Sequence, residues 1–184
     1  MVVRERLVTV DEFEETLARP ENSDRLLELI HGEIIEKMPT WEHGSIALEI
    51  GTEFNLYLRK NPIGRASVES RHRPAGDKLN DRIPDVAVIL GRDKPMVRKG
   101  ATEFIPDLCV EVQSPDDSAH LMLEKAQFYL ATGCKMVWLV YPSKRLVEVL
   151  TADDRQFYSG DEVISAEIVL PGFTMSVADV FRSV

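Results

Sequence analysis

Pro106-Asp-Leu-Cys-Val-Glu-Val-Gln-Ser-Pro115, Ser118-Ala-His-Leu-Met-Leu-Glu-Lys-Ala-Gln-Phe-Tyr-Leu-Ala-Thr-Gly133 and Met136-Val-Trp-Leu-Val-Tyr141 together decide the fold class of this chain. The first and last are short apolar runs of the kind buried on both faces of a sheet. The middle one ends in a glycine, which accepts the backbone turn that closes a helix. Strands, a long helix and more strands in succession call for a mixed sheet with helices packed on it, an α/β architecture.

One residue of the helix is out of place. His120, Glu124 and Gln127 share a face and form its wet stripe. Lys125 instead has Leu121, Met122, Phe128 and Tyr129 three and four residues away, so its stem points into the apolar stripe. Burying an ammonium is costly unless a negative group receives it. Strand alternation puts Asp107, Cys109, Glu111 and Gln113 on one face and Leu108, Val110 and Val112 on the other. Glu111 is then the mid-strand acid in need of a partner, and Lys125 the cation that can reach it. A purely structural ion pair, or a lysine snorkelling to water, is the plain alternative.

Outward from these segments, Thr9-Val-Asp-Glu12 is a capping box opening a helix over 10–19. Leu26–Ile30 and Glu33–Met38 flank His31-Gly32, a two-residue hairpin turn. Helical spacing runs from Glu42 to Arg59, and a strand is expected from Ala66 to Pro74. Pro84-Asp-Val-Ala-Val-Ile-Leu90 is another buried strand, and 91–105 a charged loop. Arg145–Thr151 and Arg155–Tyr158 are more polar and read as sheet-edge strands. Ile168–Thr174 precedes a last short helix, Ser176–Phe181. The expected organisation is one domain over 1–184: a helix and hairpin at 1–38, a core at 39–142, and closing strands and helix at 143–184.

Asp85 opens its strand directly after a proline. If that strand pairs with the Glu111 strand, Asp85 and Glu111 converge with Gln113 beside them. Two facing carboxylates repel unless a cation lies between them. Oxygen ligands with room for water suit Mg²⁺ or Mn²⁺. Lys125 would then orient a water or stabilise charge developing on a phosphate. Asp107 lies four residues before Glu111, roughly 13 Å along an extended strand, too far to share an ion. His43 shares a face with Ile46, Ile50 and Phe54, and Glu33 a side with Ile35. Both are candidates for a second layer around the site, against the plain reading of His43 as a satisfied core histidine. Trp41, Trp138 and Cys109 read as packing residues.

The net charge of −9 argues against coating nucleic acid by bulk electrostatics. Within 59–99, however, eleven Lys and Arg meet five acids, a net +6 that leaves −15 for the rest. A local basic face on an acidic body is compatible with a phosphate-backbone substrate. No apolar run approaches a membrane span, and Met1–Leu7 lacks the apolar stretch of a leader. Cys109 and Cys134 sit in apolar contexts and are expected as reduced thiols, which points to the cytoplasm.

Pro84-Asp85 followed by Glu111-Val-Gln113 resembles the PD-(D/E)XK motif of restriction-endonuclease-like nucleases. Gln113 stands where that motif has lysine, and Lys125 looks like the migrated lysine that some branches carry on the next helix. Glu28-Leu-Ile-His-Gly-Glu33-Ile, His43, Arg82-Ile-Pro-Asp85-Val, Pro106–Pro115, Lys125 with Tyr129 and Gly133, Trp138-Leu-Val and Leu170-Pro-Gly-Phe173 resemble, in order, the Uma-two family of endonuclease-like proteins from about residue 8 onward. The resemblance implies a restriction-endonuclease-like mixed sheet flanked by helices. It implies a Mg²⁺- or Mn²⁺-dependent nuclease acting on nucleic acid, DNA first. Asp85 and Glu111 would hold the metal, with Lys125 and Gln113 as the other catalytic residues. By the same analogy a homodimer would bring two sites to two strands. The rival readings are a binding or regulatory module whose site has decayed, and a hydrolase of a smaller phosphate compound.

Overall fold

The computed structural model describes residues 6–184. The leader reading of Met1–Leu7 therefore falls mostly outside the described residues. The chain forms two compact units. One comprises the chain up to Met38 with Arg71–Ile83 and Val97–Phe104, and the other Pro39–Ser70, Pro84–Met96 and Ile105–Val184.

In the first unit, α1 (Val10–Leu17) starts at the expected capping box: Thr9 accepts from the Glu12 N–H while Glu12 reaches back to the Thr9 N–H. Its Val10 and Phe13 pack with Leu27 and Leu29 of β1 (Leu26–Ile30). β2 (Glu33–Lys37) pairs antiparallel with β1. His31 and Gly32, at φ 51° and 83°, make the predicted turn, which needs positive φ at both positions. Several ionic groups are buried here. The Arg71 guanidinium bridges Asp81 at 2.6 Å and Glu14 at 2.8 Å. His72 is buried, and loss of hydration pushes its pKa down to about 4.

The second unit is organised by a six-stranded sheet in the order β3-β4-β5-β6-β7-β8. These strands are β3 (Gly64–Val68), β4 (Val86–Leu90), β5 (Leu108–Val112), β6 (Met136–Tyr141), β7 (Leu146–Leu150) and β8 (Arg155–Ser159). All neighbours are antiparallel except β5 and β6, which run parallel and are joined through α3 (Ala119–Ala131). The result is the mixed, helix-flanked α/β sheet that the strand and helix pattern predicts. α2 (Trp41–Lys60) lays Ile46, Ile50, Phe54 and Leu58 in a cluster with Val86, Val110 and Trp138. α3 lays Met122, Ala126 and Tyr129 in a second cluster with Cys109, Val137 and Leu139. Alternation along β5 thus sends Val110 and Val112 to the α2 face, and Cys109 to the α3 face. Phe54 and Trp138 meet edge to face at 5.3 Å, and truncating either to alanine would cost about 3–5 kcal/mol.

Three expectations need correction. The strand placed at Ala66–Pro74 starts at Gly64 and ends at Val68. Gly64 fits because any Cβ there would lie 2.4 Å from the Ile89 carbonyl oxygen. β7 is an interior strand, not an edge, since the Glu148 that makes it read as polar is buried. β9 (Val163–Ser165) pairs with β10 (Thr174–Ser176), which runs into the one-turn α4 (Val177–Val180). Trp41 does not pack, being 91% exposed. It lies two residues before the buried His43, about 200° round the helix and so on its opposite side. No helix among the described residues is long and apolar enough to cross a membrane.

Candidate active site

Glu111 is the fourth residue of β5 and is 1% exposed. Both of its oxygens are held from α3: the Lys125 ammonium donates to Oε2 at 3.1 Å and the Tyr129 hydroxyl to Oε1 at 2.7 Å. Lys125 and Tyr129 are one helical turn apart, so they project side by side. The Lys125 side chain keeps 14% of its surface exposed. It thus meets the acid that its place in the apolar stripe demands.

Asp85 directly precedes β4 and is also 1% exposed. Its N–H donates to the Val110 carbonyl at 3.0 Å, and its Oδ2 accepts the Val112 N–H at 2.7 Å. Those two contacts bracket Glu111 on the neighbouring strand. His43 of α2, capped at its N–H by the Thr40 hydroxyl, brings Nε2 to 3.0 Å from Asp85 Oδ2. Facing the ionised Asp85 carboxylate, Nε2 is the donor of this bond. The buried Nδ1 of the same ring has no hydrogen-bond partner among the described residues. An unsatisfied buried nitrogen is costly.

The other predicted residues lie as follows. Gln113 follows the end of β5 and donates its amide N–H to the Asp117 carbonyl at 2.8 Å. Glu33 belongs to the first unit, exposed on β2. Asp107 sits at the opposite end of β5 from Gln113, accepting the Leu90 N–H at 2.8 Å and pairing with Lys135 at 2.9 Å. Cys109 is a buried thiol whose pKa is pushed well up, by burial first and then by Cys134 and the nearby acids. It therefore stays protonated and is no nucleophile.

The basic stretch divides between the two units. Arg71 and Arg73 lie beside Asp81 and Glu14 in the first unit. In the second, Arg65 donates to the Arg92 and Lys94 carbonyls, at the end of β4 away from Asp85. Charge counting along the sequence sees none of this partition.

Sequence reasoning missed two arrangements. Tyr129 reads as apolar packing, although its position one turn after Lys125 could have placed it on the same acid. Glu148 of β7 is a second buried glutamate, 1% exposed. It accepts from the Tyr141 hydroxyl at 2.8 Å and from Arg155.

A hard divalent cation fits the donor set at Asp85 and Glu111: two buried carboxylates on adjoining segments, with the Lys125 ammonium on Glu111. Mg²⁺ is commonly held by one or two carboxylates, with waters and phosphate oxygens filling its shell. Among the described residues no three or more His, Cys, Asp and Glu side chains form a metal cage. The protein would thus supply few ligands and leave the rest to water and substrate.

Residues 10–178 match the family model described as "Uma2: Putative restriction endonuclease". Among solved structures, the chain is similar to one described as a putative nuclease belonging to DUF820, from Anabaena variabilis ATCC 29413. The two are 26% identical with a TM-score of 0.79, over 95% of this chain and 98% of that one. No curated protein matches the chain.

Proposed function

Since the chain belongs to the Uma2 family of putative restriction endonucleases, we propose that it is a divalent-metal-dependent nuclease that hydrolyses phosphodiester bonds in DNA. The observation that carries this reading is the placement of Asp85 against the backbone on both sides of Glu111, while Lys125 reaches Glu111 at 3.1 Å.

Asp85 and Glu111 would hold Mg²⁺ or Mn²⁺, which when bound supplies Lewis acidity and a more acidic water. Lys125 presents an ammonium where a water must be oriented and where charge grows on the phosphate oxygens. His43 fixes the Asp85 carboxylate through its Nε2–H. Gln113 holds the strand end and its loop through the Asp117 carbonyl, and would orient a ligand there. Hydrolysis adds the water oxygen to phosphorus and breaks the bond to the leaving sugar oxygen, which takes up a proton. The protein would work in the cytoplasm, where its buried thiols stay reduced, and as a homodimer offering one site to each strand.

The test is cleavage of supercoiled and single-stranded DNA with Mn²⁺. Wild type is expected to nick both, and Lys125→Ala to lose about 10²–10⁴-fold in rate. Full activity in Lys125→Ala would remove the mechanism. A second reading, a decayed binding module, is favoured by one observation: Gln113 stands at the motif's lysine position. Calorimetric titration with Mn²⁺ separates the two. Affinity that disappears in Asp85→Asn supports the enzyme, and no affinity in wild type supports the module.

A further inference from the structure

Resting on the reading of this site as a divalent-metal centre, we propose that Lys125 is the resident counter-ion of Glu111, displaced when a divalent cation binds, while Tyr129 keeps the carboxylate aimed. Each Glu111 oxygen receives a donor from α3, and these two donors differ in kind. The Tyr129 hydroxyl is neutral, and its side chain is 1% exposed, with its ring 5.9 Å from that of Phe128. It has no room to leave and carries no charge to oppose a cation. The Lys125 ammonium sits on a flexible four-carbon stem and keeps an outlet to solvent.

Two carboxylates buried at one strand end repel each other when nothing positive stands nearby. Lys125 supplies that charge and lets the unit fold without metal. A cation arriving at Glu111 meets the ammonium as a like charge, and one of the two must give way. Only the lysine has somewhere to go. Once off Glu111, its ammonium is released on the solvent side, where a phosphate oxygen would need a partner. A tyrosine-anchored carboxylate then presents the same geometry in both states.

Mn²⁺ titration of the full chain tests this without reference to activity. Lys125→Met is expected to bind Mn²⁺ about tenfold more tightly than wild type, the scale of removing one close like charge. Lys125→Gln should do the same if the methionine variant does not fold. Tyr129→Phe is expected to bind several-fold more weakly. Arg155→Met, which removes the cation from the other buried glutamate, should leave Mn²⁺ affinity unchanged. Mn²⁺ should also raise the melting temperature of Lys125→Met more than that of wild type. Wild-type binding with equal or weaker binding by both Lys125 variants would overturn the inference and leave the metal centre standing. No binding by wild type or by either Lys125 variant would remove the metal centre itself.

Discussion

Glu111 and Glu148 lie in one row across the sheet, each paired in register with Leu139 of the strand between them. At two strand spacings they are roughly 10 Å apart. Both are 1% exposed, and both accept from a tyrosine hydroxyl and a cation. The partners of Glu148 lie seven residues away on either side, on β6 and β8. Those of Glu111 come from a helix 14 and 18 residues on, with Asp85 and His43 beside the same strand end. Arg155 is half exposed and Lys125 largely covered. A buried glutamate with a tyrosine and a cation is therefore not by itself the signature of chemistry. A second buried acid on the adjoining segment, and partners delivered by a helix instead of the neighbouring strands, make the difference.

The largest expected effect tests that difference directly. Glu111→Gln should lower Mn²⁺-dependent DNA cleavage about 10²–10⁴-fold, whereas Glu148→Gln should stay within about twofold at temperatures where it is folded. Equal losses, scored on supercoiled plasmid, would erase the contrast. Next come the hydroxyls. Tyr141→Phe and Tyr129→Phe each take a donor from a buried carboxylate and should cost about 1–3 kcal/mol in urea unfolding. If only the Glu148 side pays, Glu111 is held chiefly by Lys125. Arg155→Met should cost about 1 kcal/mol or less, because its exposed half is screened by water.

The smallest effect is set by pH. Burial first, then the hydrogen bond and charge of Glu148, raise the Tyr141 hydroxyl above its ordinary pKa of 10.0. The unfolded chain loses that proton first, so this contribution is intact below pH 10 and fades as the pH rises beyond it. Thermal melts between pH 9 and 11 should therefore fall more steeply for wild type than for Tyr141→Phe.

The strands nearest the candidate site were the most legible in the sequence. β5 and β6 are apolar runs with clear limits, and the long helix between them is ended by Gly133. Lys125 gave away its partner because an ammonium inside an apolar stripe has few places to go. β7 misled for the same physical reason in reverse: Glu148 looks like solvent exposure until Tyr141 and Arg155 are seen around it. Tyr129 stayed hidden because its ring satisfies the packing pattern, and nothing in a linear pattern shows where the hydroxyl ends. The meeting of His43 with Asp85 spans 42 residues, and only the pairing of β4 with β5 beneath α2 creates it. Trp41 was misread because a large aromatic at the start of a helix reads as buried, though its position faces away from the core.

That exposed indole gives the molecule an optical use. Trp41 is 91% exposed and Trp138 fully enclosed, and the chain holds no other tryptophan. Acrylamide should therefore quench the red-shifted emission of the first and spare the blue emission of the second. One cuvette then follows two places at once: the mouth of α2, two residues before His43, and the aromatic heart of the six-stranded sheet.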